Sequence, residues 1–551
     1  MKKINLFFTI IASAFLLTSC VKDLDTMPLN ETDETSETAY DDEDSYLKGL
    51  AYINAYYSFV SQNDPGSSDI AVDDAGQSEL IREYINMNEL SCDSFKCTWG
   101  DPYVTDIQSD KWTSADNAAT IAVYTRCMKG IALANEYLIQ TESDKLSSRG
   151  HSSFQTTVNG YRAEARFHRA MFYWMMMDLF GNPPFAMPEN IGGDMPTQIS
   201  RADLYQWLDT ELNDLLNGDD MPDYGEVPYP RPTKGSVAGL LARMYLNAEV
   251  YTGTAQWQKA KDMAQKVIGM GYKLHDNYQE LFMQDNTETG AAAEEFIFAV
   301  EYDKDHAQSW GGTTTLSSAT LNEGLNSALG TYFGTGGNIM PENWNGYHVP
   351  NDYVARFDLK DVDWSGTGFG YNRETSDKRA FFINEGIKEF DISDASTGWR
   401  CWKFSGLYSD GHVNSSSVDN YKFSSCDFPL MRLPEMFLIY AEADARLNGG
   451  EVSDSQAISY IKQLRDRAGV DMPDAIDLDW ILDERARELM WEGHRRVDLI
   501  RYGYFTSAQY PWTYKGGILD GRVSIPSYRT IFPIILSDLN SNPNLVQNPG
   551  Y

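Results

Sequence analysis

The 551-residue chain is poor in the residues on which most enzyme chemistry depends. It carries six cysteines and seven histidines. Five cysteines lie beyond position 20, at Cys92, Cys97, Cys127, Cys401 and Cys426. An odd and small number of this kind builds no disulfide framework. Cys92 and Cys97 have the wrong spacing for a zinc knuckle and no paired histidines accompany them, so they read as buried or idle thiols. No His-Glu-x-x-His, no Gly-x-Ser-x-Gly elbow and no phosphate-binding loop occurs. The alternating glycines Gly366, Gly368 and Gly370 open no helix, so a dinucleotide fingerprint fails. Basic residues are also scarce, 45 against 80 acidic, for a net charge of −35. Such a surface repels nucleic acid and anionic lipid, and no Lys/Arg cluster offers a pocket for a phosphorylated substrate. Glycosidases work with a pair of carboxylates, and 80 acidic residues hide any such pair. A hydrolase therefore stands as the weaker alternative to a binding protein.

Long apolar runs are absent except at the start. Lys2 and Lys3 precede an apolar stretch from Ile4 to Leu17, too short to span a bilayer, which ends in Leu17-Thr18-Ser19-Cys20. This arrangement is a secretory signal over residues 1–19, and its ending resembles a bacterial lipobox. That resemblance implies cleavage before Cys20 and lipid on Cys20, leaving a soluble but tethered body. Residues 20–44 are polar, acidic and aperiodic, as expected of a flexible tether. One domain is expected from 45 to 551.

Aromatics make up 13% of the chain, with 13 Trp and 33 Tyr. That exceeds what a core requires, and flat rings are the surfaces on which neutral sugars stack. Helical periodicity is clear over 45–60, 116–141, 161–180 and 201–217. In the stretch Tyr161 to Phe185, Ala163, Phe167, Ala170, Trp174 and Met177 fall on one stripe, with Arg162, Arg166, Arg169 and Tyr173 one step round. Gly181 and Pro183-Pro184 end it. A Met and aromatic cluster at helical spacing is first a packing signal, so this helix is expected to be core, with its Arg face paired to carboxylates. Residues 234–250 and 257–270 form a helical pair about the Thr252-Gly253 turn, and 434–448 with 453–468 forms another. These pairs resemble tetratricopeptide hairpins without a strict repeat. The expected fold is therefore mainly α, with helical pairs at about 45–282 and 429–503. Between them, about 285–428 reads as a loop-rich insertion with short strands such as Glu295–Val300, and long loops in compact proteins usually carry function.

Six segments in order resemble the SusD/RagB family. They are RAEARFHRAMFYWMMMDLFG at 162–181, RPTKGSVAGLLARMYLNAEVYTG at 231–253, FPLMRLPEMFLIYAEADARL at 428–447, IKQLRDRAG at 461–469, DERARELMWEGHRRVDLIRYG at 483–503, and the closing FPI with NPNLVQNPGY. The resemblance implies a non-catalytic, surface-exposed lipoprotein of the outer membrane. Its tetratricopeptide-like scaffold would hold an irregular glycan-binding face, and it would pass oligosaccharide to a SusC-like TonB-dependent transporter.

Stretches at 73–101, 266–286 and 309–314 are most similar to the family's starch-binding member. Carried over by position, that likeness implies α-glucan contacts at Asp74, Arg82, Trp99, Trp310 and Trp344. Cys97 stands near the place of another aromatic, and Asp101 or Pro102 near that of an asparagine, so another glycan or a peptide remains an alternative ligand. Arg82 also fits a structural ion pair, since ELIREY is helix-like. The family holds calcium near the segment matching Asp285–Glu288, but Thr287 stands where a carboxylate is expected, and no metal or other cofactor is expected here.

Overall fold

The computed structural model describes residues 39–551 except 116, 191–192, 194, 288–291, 387–389 and 415–418. The leader, Cys20 and most of the tether lie outside the described residues. The first helix, expected over 45–60, runs instead from Glu43 to Ala55. Asp42 caps the first helix, α1 (Glu43–Ala55), through a reciprocal pair of hydrogen bonds with Ser45. Tyr40 packs its ring against Tyr46 and Tyr137.

The scaffold continues with α2 (Leu80–Ile85), α3 (Ala118–Gln140), α4 (Gln155–Phe180) and α5 (Arg201–Asn217). Helix α4 starts at Gln155, about two turns before the apolar stripe begins at Ala163. It ends at Gly181, whose φ of 71° is a conformation glycine adopts without strain. Met171 to Met177 are all buried, so the cluster is core as its spacing predicts. Gly130 of α3 lies against Phe172 so closely that a Cβ would stand 2.5 Å from the ring, which fixes how near α3 and α4 can pack. The Arg face pairs in part as expected. Arg166 bonds Glu211 and Asp214, and Arg169 bonds Glu211, all on α5. Arg162 instead donates to the Leu138 carbonyl and to Thr141.

The clearest hairpin is α6 (Lys234–Leu246) with α7 (Trp257–Ile268), turned through Gly253 at φ 76°. The helix expected to run to 250 breaks at Asn247 and resumes as a short turn, Ala248–Thr252. Helix α7 packs on the second hairpin, whose helices follow the insertion.

The insertion is not structureless. It includes the helices α8 (Gly312–Ser318) and α9 (Glu323–Phe333), neither of which the glycine-rich, polar sequence revealed. Beyond it come α10 (Leu433–Leu447), α11 (Ser455–Ala468), α12 (Leu478–Glu488) and α13 (Arg495–Arg501). Four strands matter for the site. These are β1 (Lys96–Cys97), β2 (Phe296–Val300), β3 (Tyr347–His348) and β4 (Phe428–Arg432). Strand β2 pairs antiparallel with β4, Val300 opposite Phe428, so the insertion leaves and re-enters the scaffold at one ladder. Strand β1 pairs antiparallel with β3, Lys96 opposite His348, and brings the middle of the insertion to the segment after α2.

A buried ionic network gathers about Arg432, the last residue of β4. Arg432 bonds Glu295, Glu488 and Glu492, Arg467 bonds Glu295 and Glu488, and Arg379 bonds Asp377, Glu484 and Glu488. All of these groups are buried, and each charge meets an opposite one, the condition under which buried charge is tolerated. The five cysteines are free and buried.

Candidate functional site

Trp99 follows strand β1. Its placement depends on the β1–β3 ladder and on the Thr98 amide, which donates to the Gly346 carbonyl at 2.9 Å. Gly346 lies under the ring, where a Cβ would stand 2.1 Å from the indole, so only glycine lets Trp99 settle there. The Trp99 indole N–H donates to the Trp344 carbonyl at 3.2 Å. With its one donor engaged, Trp99 has ring surface to offer a ligand.

Trp310 and Trp344 are both tied to α8. The Thr315 hydroxyl donates to the Trp310 carbonyl at 2.8 Å, and the Trp344 amide donates to the Ser318 carbonyl at 2.9 Å. The three indoles form an arc rather than a stack. Trp99 and Trp344 have centroids 6.4 Å apart at 53°, and Trp344 and Trp310 lie 6.2 Å apart at 40°. Phe423 packs 4.6 Å from Trp310 and backs the end of the arc. All three tryptophans are half-buried.

The polar edge comes from the stretch before α2. Asp74 accepts from the Gln77 amide at 2.8 Å, just ahead of a single turn, Gly76–Ser78. This holds the carboxylate outward, 57% exposed and 3.9 Å from the Arg82 guanidinium. Arg82 itself is only 7% exposed and also faces Glu83 at 3.4 Å and the Tyr103 hydroxyl at 3.4 Å. It is thus both of the things its sequence allowed, an ion-paired side chain and part of the cleft lining.

Glu79 ties the polar edge to the aromatic arc. Fully buried, its carboxylate accepts from the Arg82 amide at 2.6 Å, from the Gly312 amide at 3.0 Å and from the Tyr302 hydroxyl. Burial pushes its carboxyl up to about 7 against these bonds, which pull the other way. Gly311 and Gly312 permit the approach, for a Cβ on Gly311 would stand 2.5 Å from the Glu79 side chain.

These residues line one open cleft of about 730 Å³, made by Gly66, Asp73, Asp74, Ala75, Gly76, Gln77, Arg82, Trp99, Trp310 and Trp344. All five residues named from the sequence, Asp74, Arg82, Trp99, Trp310 and Trp344, fall in it. Gln77 and the backing ring Phe423 were not singled out. Gln77 follows Asp74 in a turn with no periodicity, and Phe423 sits in a polar loop far from its partner. Cys97, near the place of an expected aromatic, is buried behind the cleft, where burial pushes its thiol up to about 12.

The cleft offers ring faces, a guanidinium and a carboxylate. Its lining carboxylates, Asp73 and Asp74, are chain neighbours on one lip, and glycosidases need two across a scissile bond. The Asp285 carboxylate accepts from the Ser409 amide at 3.0 Å and from its hydroxyl at 2.5 Å, Glu288 lies outside the described residues, and among the described residues no three His, Cys, Asp or Glu gather.

Comparison with known proteins gives consistent likenesses. Two family models match, one described as SusD family over residues 294–551 and one as starch-binding associating with outer membrane over residues 68–246. The starch-binding protein SusD of Bacteroides thetaiotaomicron is 32% identical, covering 97% of this chain and 96% of its own. A SusD-like protein of Formosa agariphila is 25% identical over 71% of this chain and 73% of its own. Among solved structures, a laminarin-binding SusD-like protein matches with a TM-score of 0.66 at 19% identity, covering 93% of this chain and 100% of its own. Surface glycan-binding protein A of Bacteroides thetaiotaomicron, solved with laminarihexaose, matches at 0.65 and 17%, covering 92% and 99%.

Proposed function

The chain belongs to the SusD family, and on that premise we propose that its tryptophan cleft binds α-1,4-glucan at the cell surface and hands it to a SusC-like TonB-dependent transporter. The family is associated with the outer membrane at the cell surface, and its members bind without catalysis. In this reading a lipid on Cys20 tethers the protein.

The observation that carries the proposal is convergence. Asp74 and Arg82, Trp99, and Trp310 with Trp344 come from three separate parts of the chain and meet in one cleft. An arc of tilted rings suits the curved face of a glucan helix better than a flat ribbon. Pyranose C–H faces pack on the indoles, while Arg82 donates to hydroxyl oxygens and Asp74 accepts from hydroxyl protons. The likeness to a starch-binding protein supports the choice of α-glucan.

Native gels containing soluble starch, and calorimetry with maltoheptaose, test the reading. Retardation of the wild type is expected. Trp99→Ala and Trp310→Ala should each weaken binding by about 1–2 kcal/mol, roughly five- to thirtyfold in Kd, with an unchanged circular dichroism spectrum. Unaltered affinity in both variants removes the cleft assignment, and no retardation by any α-glucan removes the ligand.

A second reading keeps the role and changes the polymer. Structural relatives bind laminarin or are solved with laminarihexaose, and Cys97 takes an aromatic's place here. A gel panel that includes laminarin decides between the two glucans.

A further inference from the structure

Away from the tryptophan cleft, the last turn of α9 carries Tyr332. The residue is 54% exposed, and its hydroxyl has no partner among the described residues. Its ring is nevertheless held in place. Phe369 meets it at 4.9 Å and 70°, and Phe333 at 5.0 Å and 89°, both edge-on contacts. Among the described residues it is the most exposed of the large aromatic rings.

Arg373 completes the arrangement. Its guanidinium carbon lies 5.3 Å from the Tyr332 ring centre, 5.0 Å from Phe369 and 4.6 Å from the buried Trp402. Three rings thus hold one cation. Among the described residues Arg373 has no hydrogen bond and no ion pair, although the chain carries 80 acidic residues. Its donors are therefore ordered and unengaged, and a ligand that uses them loses little further side-chain freedom.

We infer that Tyr332, Phe369 and Arg373 form a second saccharide-contact surface, which engages long neutral glucan chains. The inference rests on the glycan reading of the protein. Ring faces take pyranose C–H groups, and the guanidinium donates to hydroxyl oxygens. The net charge of −35 selects against an anionic polymer. Placement fits a long ligand. Asn326 on the same helix donates to Asn343 at 2.7 Å, the residue before Trp344. Tyr332 lies six residues further along, about 9 Å by helical rise. A short oligosaccharide seated in the cleft has no need of this surface, whereas a polymer has chain to spare for it.

The test compares the wild type, a Tyr332→Ala/Arg373→Ala double variant and a Trp99→Ala/Trp310→Ala double variant. Calorimetry uses maltoheptaose, and native gels use whichever glucan polymer retards the wild type. The Tyr332/Arg373 variant should keep its maltoheptaose Kd within about twofold, while polymer affinity falls by roughly three- to tenfold. Tyr332→Phe, which keeps the ring, should retain most polymer binding. Polymer retardation equal to wild type overturns the inference. So does a parallel loss of maltoheptaose affinity, which marks damage to the cleft. A wild type that no polymer retards overturns the glycan reading itself and this inference with it. A Trp99/Trp310 variant that binds as wild type, beside a weakened Tyr332/Arg373 variant, overturns only the cleft assignment.

Discussion

Glu79 and Gly312, far apart in the chain, are joined by a 3.0 Å hydrogen bond from the Gly312 amide to the Glu79 carboxylate. The same carboxylate caps α2 at Arg82, so one side chain sets the distance between the guanidinium and the turn that follows Trp310. Glu79→Ala would leave the Tyr302 hydroxyl and two amides without a partner in a buried place, a loss of about 2–4 kcal/mol. Lower Tm and weaker maltoheptaose binding should appear together. A variant with weaker binding and unchanged Tm would contradict this account.

The same residue gives a pH signature. Burial raises the Glu79 carboxyl from 4.5 to about 7 in the folded protein. The folded state therefore holds a proton that the unfolded state has released between those values. The stability from Glu79 is fully present below about 4.5 and declines as pH rises through 7. Glu79→Gln removes this titration. Its stability relative to wild type should improve by about 3 kcal/mol between pH 4.5 and pH 8, read as a difference in urea midpoints. A constant difference across that range would be the contrary result.

Gly76 meets both halves of the cleft. A Cβ there would stand 2.6 Å from the Arg82 guanidinium and 2.8 Å from the Trp310 carbonyl oxygen. Gly76→Ala must push one of them aside. It should lower stability by roughly 1–3 kcal/mol and weaken binding even though alanine is no larger than a methyl group. Calorimetry beside thermal melts checks both effects.

Trp344 neighbours Trp99 on one side and Trp310 on the other, whereas neither of those has two indole neighbours. Trp344→Ala should therefore weaken maltoheptaose binding more than either Trp99→Ala or Trp310→Ala. A ranking with Trp344 last would show that the arc does not act as a unit.

The ionic network predicts the opposite acid behaviour to Glu79. Burial alone would raise the Glu488 carboxyl, but Arg467, Arg432 and Arg379 outweigh it and hold it at about 2. Stability from Glu488 is present above about 4.5 and lost as pH falls through 2. Glu488→Gln should be destabilised most near neutrality, by roughly 3–5 kcal/mol since it removes a carboxylate that three buried guanidinium groups share, and the gap should close as pH drops below 4.5. Urea midpoints from pH 3 to pH 7 follow it.

The helical scaffold was legible because its signal is local. The stripe Ala163 to Met177 announces a buried helix whatever its neighbours are. Helix α9 escaped because its glycines, serine and threonine mask the period: only Leu325 and Leu329 mark its apolar face, and Asn326 reaches Asn343 and the Met340 carbonyl. For the cleft, the family resemblance identified Asp74, Arg82, Trp99, Trp310 and Trp344, but nothing near any one of them says that they meet. Their meeting depends on β1 pairing with β3, a contact between two-residue strands that carries no pattern of its own. Phe423 and Tyr332 depend in the same way on distant rings.

The ladder between Val300 and Phe428 has an evolutionary corollary. A segment whose two ends are clasped side by side can change length between its anchors without moving the helices around it, so long as Arg379 still reaches Glu484 and Glu488. Residues 301–427 include Trp310, Trp344 and Tyr332, while Asp74, Arg82 and Trp99 stay behind on the scaffold. On the proposed reading, ligand preference in this architecture is inherited in two halves, one carried by a segment whose length can vary between its anchors and one held on the scaffold, where only point substitution changes it.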